Sequence, residues 1–388
     1  MKSPHASLKK HAKALTITGL IVGISTFLGS LFSFASFGKR PTEEDKKSFL
    51  KSKQWSPVTG TFQNRLPRLV LEMEKNMNKW RVAIDFLFKK KDRSPPEKLP
   101  EMTPDMASFL SPSSKLKIIW FGHSSFLLNM DGKIILVDPV FSPSAAPVSF
   151  MVQRFQAPIL TLSQLPKIDY ILISHDHYDH LDMESIKHFK DKTTKFITPL
   201  GVSSHLKSWG VPLQRIIEKD WWESYDENNI KFTATPAQHF SGRSGFDKNC
   251  SLWASWVIKS ENSNIYFSGD SGYDVHFKEI GEKLGPFDVA FLESGQYNQA
   301  WREVHMLPEE AVKAFFDLKA RSYFPVHWGM FVLSLHSWFE PIEKIFKFSR
   351  EQNFTLLAPK IGQIVTLGEK TPVDPWWELV GKEAKRKK

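Results

Sequence analysis

The sequence predicts an α/β layered domain, with mixed sheets covered by helices, preceded by a helical extension and a membrane anchor or signal segment. Three observations predict it. From Lys115 onward short apolar runs alternate with turn residues. From Ile171 onward such runs alternate with helical patterns, the signature of layered α/β architecture. Several of the runs end in a histidine or aspartate, as strands do when they deliver side chains to one edge of a sheet. At 388 residues, 41% hydrophobic and 24% charged, the chain is long enough for one large core plus an appendage.

Residues 1–40 open with Lys2, Lys9, Lys10 and Lys13, followed by an uncharged stretch from Ala14 to Gly38. As a helix those 25 residues would extend roughly 37 Å against a bilayer core of about 30 Å. The excess of lysine before the stretch keeps the short N-terminus cytoplasmic and carries the remainder across. A cleaved signal peptide competes, with Ser33-Phe34-Ala35 as a small-x-small site, although the apolar run exceeds a typical signal core. Both readings place the protein at a membrane face outside the cytoplasm, anchored or secreted on the extracytoplasmic, periplasmic side. Residues 41–112 are polar and broken by prolines. One helix is predicted over about Arg68 to Lys90, with a stripe of Leu69, Leu71, Met73, Met77, Trp80, Ile84 and Leu87, read as a packing arm on the main domain.

Residues 113–370 form the predicted catalytic domain. Leu116–Phe121, Ser125–Leu128 and Ile134–Val137 read as strands, with Asp131-Gly132 as a hairpin turn. Ile171–Ser174 leads into a helix near Met183–Lys190, and Lys195–Thr198 into one near Val202–Trp209. Further strands are predicted at Lys231–Thr235, Leu252–Lys259, Asn264–Phe267, Val289–Glu293 and Arg321–Val326. Pro308-Glu309-Glu310 opens a helix ending near Lys319, with proline and acids where a helix N-terminus favours them. Residues 371–388 are read as a basic tail.

The net charge of +10 resembles a nucleic-acid signal until it is located along the chain. The first 40 residues contribute +6 and the last eight +4, so residues 41–380 are neutral. A balanced body argues against a phosphate-tracking surface and against nucleic acid as a partner. The single cysteine, Cys250, excludes an intramolecular disulfide framework.

The most informative run is Ser174-His175-Asp176-His177-Tyr178-Asp179-His180-Leu181-Asp182, directly after the apolar Tyr170–Ile173. At a strand-to-loop exit alternate residues point the same way. His175 and His177 can therefore face one cation while the following turn aims Asp179 and His180 at a second. Asp138, His239, Asp270 and His327 each end a further predicted strand, where residues distant in sequence converge. Gly269-Asp270-Ser271-Gly272 also looks like a serine-protease nucleophile motif, but no suitable His-then-Asp pairing precedes it.

Together these residues resemble the metallo-β-lactamase fold superfamily, and within it the N-acylphosphatidylethanolamine-hydrolysing phospholipase D group. The supporting runs include Trp120-Phe121-Gly122-His123-Ser124-Ser125, Asp138-Pro139-Val140-Phe141, Asp220-Trp221-Trp222-Glu223, Pro236-Ala237-Gln238-His239, Gly269-Asp270-Ser271-Gly272-Tyr273, Gly285-Pro286-Phe287-Asp288, His305-Met306-Leu307-Pro308-Glu309-Glu310-Ala311 and His327-Trp328-Gly329. The resemblance covers about residues 55 to 368. It implies a metallo-β-lactamase αββα sandwich with His175, His177 and His239 on one metal, Asp179, His180 and His327 on the other, and Asp270 bridging. It leaves a shared position for hydroxide, with Asp138 orienting a ligand. Histidine-rich ligation favours two Zn2+ over magnesium or calcium, with iron or manganese as alternatives. Asp179, Asp270 and His305 are the expected catalytic residues; His123, Glu293 and His305 are the expected substrate contacts. Glu293 departs from the apolar residue of vertebrate members, and a carboxylate facing the pocket would alter substrate charge preference.

The implied activity is a zinc-dependent phosphodiesterase of the phospholipase D type acting on N-acylphosphatidylethanolamine-like phospholipids. The alternative is a lactonase or other carbonyl ester or β-lactam hydrolase on the same fold. Expected partners are a phospholipid or other small-molecule substrate and a membrane, met by an apolar lip at Ser142–Leu160 that includes Phe150 and Met151. A homodimer is an open assembly.

Overall fold

The computed structural model describes residues 34–88, 92–369 and 373–381. Its centre is a pair of seven-stranded mixed sheets packed face to face. The first runs in the order Ile364–Thr366, Lys117–Trp120, Phe126–Met130, Lys133–Val137, Tyr170–Leu172, Lys195–Pro199, Ile216–Lys219. The second runs Thr355–Leu356, Ser322–Val326, Val289–Glu293, Asn264–Phe267, Ser255–Lys259, Ile230–Thr235, Ser224–Glu227. Each sheet is antiparallel at one side and parallel at the other.

Strand residues alternate between two apolar environments, which is why the strands read as near-continuous hydrophobic runs. Phe126, Leu128, Ile135, Val137 and Leu172 of the first sheet meet Trp256, Ile258, Phe267 and Phe291 of the second in the inner core. Phe126 stacks on Phe291 with centroids 4.2 Å apart and planes 3° apart, worth about 0.5–1.5 kcal/mol beyond burial. Leu127, Ile134, Leu136, Ile171 and Phe196 face outward onto Ile186, Phe189 and Leu206 of the helices Met183–Phe189 and Ser203–Ser208. The helices His276–Lys283, Pro308–Asp317 and Glu340–Glu351 bury Phe277, Ile280, Val312, Phe315, Ile342 and Ile345 with the second sheet. The predicted layered α/β fold is an αββα sandwich.

Several predicted elements take a different form. The helix expected over 68–90 is two helices, Pro67–Asn76 and Lys79–Phe88. Met77 is extended, at φ −68° and ψ 118°, and the Asn78 side chain accepts the Arg81 amide, so the second helix restarts from its own cap. The strand expected from Leu252 begins at Ser255, because the Leu252 and Ala254 amides donate to Leu200 and Ser174 across the sandwich. The half-buried edge strands Ile216–Lys219 and Ser224–Glu227 had no sequence signal strong enough to predict them.

The apolar N-terminal run lies mostly outside the described residues. Its end is not a continuing α-helix: Phe34–Phe37 is a single 3-10 turn, and the Ala35 and Ser36 carbonyls accept from Trp209 Nε1 at 2.7 Å and Arg243 Nε at 2.8 Å. No helix among the described residues is long and apolar enough to cross a membrane. At the other end, the segment assigned to a basic tail begins as core. Trp376 and Trp377 are buried, and Trp376 stacks on Trp328 at 5.6 Å.

Candidate metal centre

Each predicted ligand sits just beyond a strand, at one shared edge of the sandwich. His175 follows Tyr170–Leu172, His239 follows Ile230–Thr235, Asp270 follows Asn264–Phe267 and His327 follows Ser322–Val326. Asp270 reaches the centre because Gly269, at φ +55°, lets two backbones close up. A Cβ there would lie 2.8 Å from Ser174 Cβ and 3.0 Å from the Ala254 carbonyl. His123 and His327 both hold positive φ and clasp one another's loops, with His327 N donating to His123 O at 3.1 Å and His123 N to Trp328 O at 2.9 Å.

The structure brings all seven predicted ligands together. His175, His177, His239 and Asp270 form one group and His123, Asp179, His180 and His327 another, each with candidate ligand atoms within 4.8 Å of one another. Asp270 stands between them: Oδ2 is 3.8 Å from His175 Nε2, 3.6 Å from His239 Nε2 and 3.1 Å from His327 Nε2, while Oδ1 is 3.2 Å from His180 Nε2. His177 presents Nδ1, 2.9 Å from His175 Nε2 and 3.2 Å from His239 Nε2.

The far nitrogens of four of these rings are held from behind, which fixes their orientation. His180 Nδ1 meets Asp138 Oδ2 at 2.6 Å, His175 Nδ1 meets Ser174 Oγ at 2.9 Å, His239 Nδ1 meets the Val304 carbonyl at 3.0 Å, and His327 Nδ1 lies 3.4 Å from Gly295 O. Asp138 is itself fully buried and accepts both the amide and hydroxyl of Ser174.

These residues fit a metal. His180 Nε2 and Asp270 Oδ1 are buried without a hydrogen-bond partner among the described residues, although they face one another. Two such orphaned atoms are what a shared cation satisfies. The electrostatics agree. Burial pushes the Asp270 and Asp179 carboxyls up, but the facing histidines outweigh it and hold both well below the usual carboxylate range. His180 is raised well above the ordinary histidine value, and His327 is pushed up to about 10, because the carboxylates, Asp270 foremost, overcome burial. Burial and neighbouring imidazoles hold His175 low; for His239, burial outweighs Asp270. The centre thus demands positive charge, drawn from protons when no cation supplies it.

Not every predicted substrate contact lines the cavity. His305 lines the cavity above the centre. His123 is buried behind Asp179, with Nε2 2.8 Å from Oδ2, and burial lowers it to about 3. Glu293 is 1% exposed and lies beneath His305, 3.0 Å from its Nδ1, with burial pushing its carboxyl up against the opposing pull of His305. Neither borders the cavity. His123 was expected at the substrate as a histidine outside the ligand set and Glu293 as a carboxylate ending its strand, but the strand from Val289 turns the Glu293 side chain inward.

The cavity has a volume of about 450 Å3. His177, Asp179, Asp270, His305 and His327 make its floor; Met73, Met77, Phe86, Phe240, Trp301 and Leu333 supply apolar walls. Glu74 and Lys248 form an ion pair that ties the first cap helix to the loop opposite. The predicted packing arm is therefore a cap: Met73, Met77 and Phe86 face the cavity while Leu71, Trp80, Ile84 and Leu87 of its stripe are exposed. Sequence reasoning also missed Asn64. Its Nδ2 donates to the His239 carbonyl at 2.7 Å and its Oδ1 accepts the His239 amide at 3.0 Å, so the extension holds a ligand's backbone. An isolated asparagine carries no periodic signal that could have revealed this.

An αββα sandwich with a buried histidine and aspartate cluster at one edge, beneath a cavity, is the arrangement of an enzyme that works through bound metal. Comparison agrees: residues 133–328 match the family model described as a beta-lactamase superfamily domain. An uncharacterised protein of Mycobacterium tuberculosis is 42% identical over 69% of this chain and 73% of its own length. N-acyl-phosphatidylethanolamine-hydrolyzing phospholipase D 1 of Caenorhabditis elegans is 35% identical over 60% of this chain and 69% of its own length. Igni18, a metallo hydrolase of Ignicoccus hospitalis, shares the fold with a TM-score of 0.52 at 22% identity, over 66% of this chain and all of that one. The chain belongs to the metallo-β-lactamase superfamily and is one of its metal-dependent hydrolases.

Proposed function

We propose that the protein is a zinc-dependent phosphodiesterase of the phospholipase D type, acting on N-acylphosphatidylethanolamine-like phospholipids. The observation that carries this reading is the cavity, whose charged floor suits a phosphodiester and whose methionine and aromatic walls suit acyl chains. The named phospholipase D relative supports it.

His175, His177 and His239 would hold one ion and Asp179, His180 and His327 the other, with Asp270 shared. When bound, two such cations supply an acidified water and an electrophilic clamp for a phosphoryl oxygen. The chain's own residues do the rest. Asp138, Ser174 and the Val304 carbonyl keep the imidazoles aimed. Met73, Met77 and Phe86 of the cap would meet and orient the apolar portion of the substrate. His305 is part of the floor, where it can move a proton between water and the departing oxygen.

Lipid substrates lie in a surface, and the exposed residues suit one. Trp80, Ile84, Leu87 and Phe88 lie on the second cap helix, and Phe150 and Met151 are exposed on the expected lip. The basic, apolar N-terminus is read as directing the chain to the extracytoplasmic membrane face. Replacing Trp80 and Ile84 together with serine should lower turnover of vesicle-borne lipid about tenfold or more and leave a soluble diester nearly unaffected; equal loss on both would exclude the membrane role.

The deciding assay offers the zinc-loaded full chain N-acylphosphatidylethanolamine, a lactone and a β-lactam, with products resolved by mass spectrometry. The expected result is phosphatidic acid plus an N-acylethanolamine, abolished by a chelator. Turnover of the carbonyl substrates alone would overturn the phosphodiesterase reading.

A further inference from the structure

Glu293 is a buried carboxylate outside the seven expected ligands, with Oε2 3.9 Å from His327 Nδ1. It ends the strand Val289–Glu293, and its two oxygens have separate duties. Oε1 accepts the backbone amide of Met306 at 2.6 Å, and Oε2 meets His305 Nδ1 at 3.0 Å. His305 is held on its other sides as well. Its amide donates to Trp301 O at 3.2 Å, and its ring stacks on His327 with centroids 5.2 Å apart and planes 11° apart. Its Nε2 has no protein hydrogen bond among the described residues, and the ring lines the cavity beside Asp179 and Asp270.

The geometry points to Glu293 as a positioning residue. We propose that it holds His305 in the Nδ1–H tautomer, so that Nε2 offers its lone pair to the cavity and relays a proton during phosphodiester cleavage. This rests on the phosphodiesterase reading above. The attacking water gives one proton to His305 Nε2 as its oxygen bonds to phosphorus. The ester P–O bond then breaks, and the departing alkoxide oxygen takes that proton from Nε2. His305 ends unchanged, and the water's other proton stays with the phosphate product.

Met306 makes the assignment testable, because a backbone amide can only donate. In Glu293→Gln the single side-chain oxygen must stay on Met306, which turns the amide NH2 toward His305 Nδ1. Nδ1 then becomes an acceptor, the ring proton moves to Nε2, and the relay loses its lone pair. A carboxylate that mattered only for packing would show no such inversion.

The experiment has two arms. In the zinc-loaded full chain, long-range proton–nitrogen NMR of the imidazoles, with His305 assigned by loss of its signal in His305→Gln, should show Nδ1 protonated in the wild type and Nε2 protonated in Glu293→Gln. In the zinc-loaded proteins at equal metal content, two substrates share a phosphatidyl group and differ in the leaving group. With N-acylethanolamine as leaving group, Glu293→Gln should lower kcat about 100-fold with little change in KM. With p-nitrophenol, which departs without a proton, only the transfer from the attacking water is affected, so the loss should be smaller than with N-acylethanolamine but not absent. Glu293→Asp, which keeps the carboxylate, should recover part of the first loss. Equal losses with both leaving groups, no loss with either, or a wild-type His305 protonated at Nε2 would overturn the assignment. Failure of the wild type to cleave either diester would instead overturn the phosphodiesterase reading and the relay with it, while the tautomer measurement still decides whether Glu293 positions His305.

Discussion

Asn64 shows how much a single side chain outside the metal motifs controls. It pairs with both backbone groups of His239, and the same Oδ1 accepts Trp253 Nε1 at 3.1 Å. Asn64→Ala would leave a buried amide and carbonyl unpaired, each costing about 1–3 kcal/mol. The expected outcome is a loss of about 2 kcal/mol or more in urea unfolding, together with weaker metal retention against a chelator because His239 loses its fixed backbone. Unchanged metal affinity would mean that the Val304 carbonyl alone suffices to aim the ring. Asp270 makes the complementary case. Because it reaches both ligand groups, Asp270→Asn should lower metal content and activity together, measurable by elemental analysis. Full retention of both would remove it from the shared position.

At the scale of elements, the extension's value lies in where it is pinned. Arg65 Nε meets Asp274 Oδ2 at 2.8 Å just before the first cap helix, so this pair ties the cap to the catalytic domain. Burial raises the Asp274 carboxyl, but His276, Arg65 and the Val275 amide outweigh it and leave its folded value depressed. A depressed carboxylate contributes stability that is full above the unfolded value of about 3.9 and lost as pH falls through the folded value. Urea unfolding should therefore show Asp274→Asn less stable than the wild type from neutral pH to about pH 5, with the gap closing below about pH 4. A gap that widens in acid would show the opposite sign and contradict the pairing. The cap helices also show why periodicity misleads here. The stripe was visible in the sequence, yet an apolar face that covers a cavity or meets lipid has the same spacing as one that covers a core.

For the whole molecule, the C-terminal segment closes the sandwich beside the metal edge. Trp376 stacks on Trp328, the residue after His327, and Trp328 in turn stacks on Trp120 at 5.2 Å. Trp376→Ala should cost about 3–5 kcal/mol, read as a lower urea midpoint, whereas a residue in a solvated tail would change nothing. The sequence by itself determined the layered class and most inner strands, because burial on both faces writes continuous apolar runs into the chain. Asp131-Gly132 was equally legible: both residues take positive φ and pair Met130 with Lys133 across the hairpin. The clustering of the expected ligands was legible too, since His175 to His180 are local and each of the others follows a recognisable strand. Only the tertiary structure decided that Glu293 turns beneath His305, that Asn64 clasps His239 and that the arm is a cap. Those facts depend on contacts between residues far apart in sequence, whose distances are set when the two sheets pack and not by any local pattern of side chains.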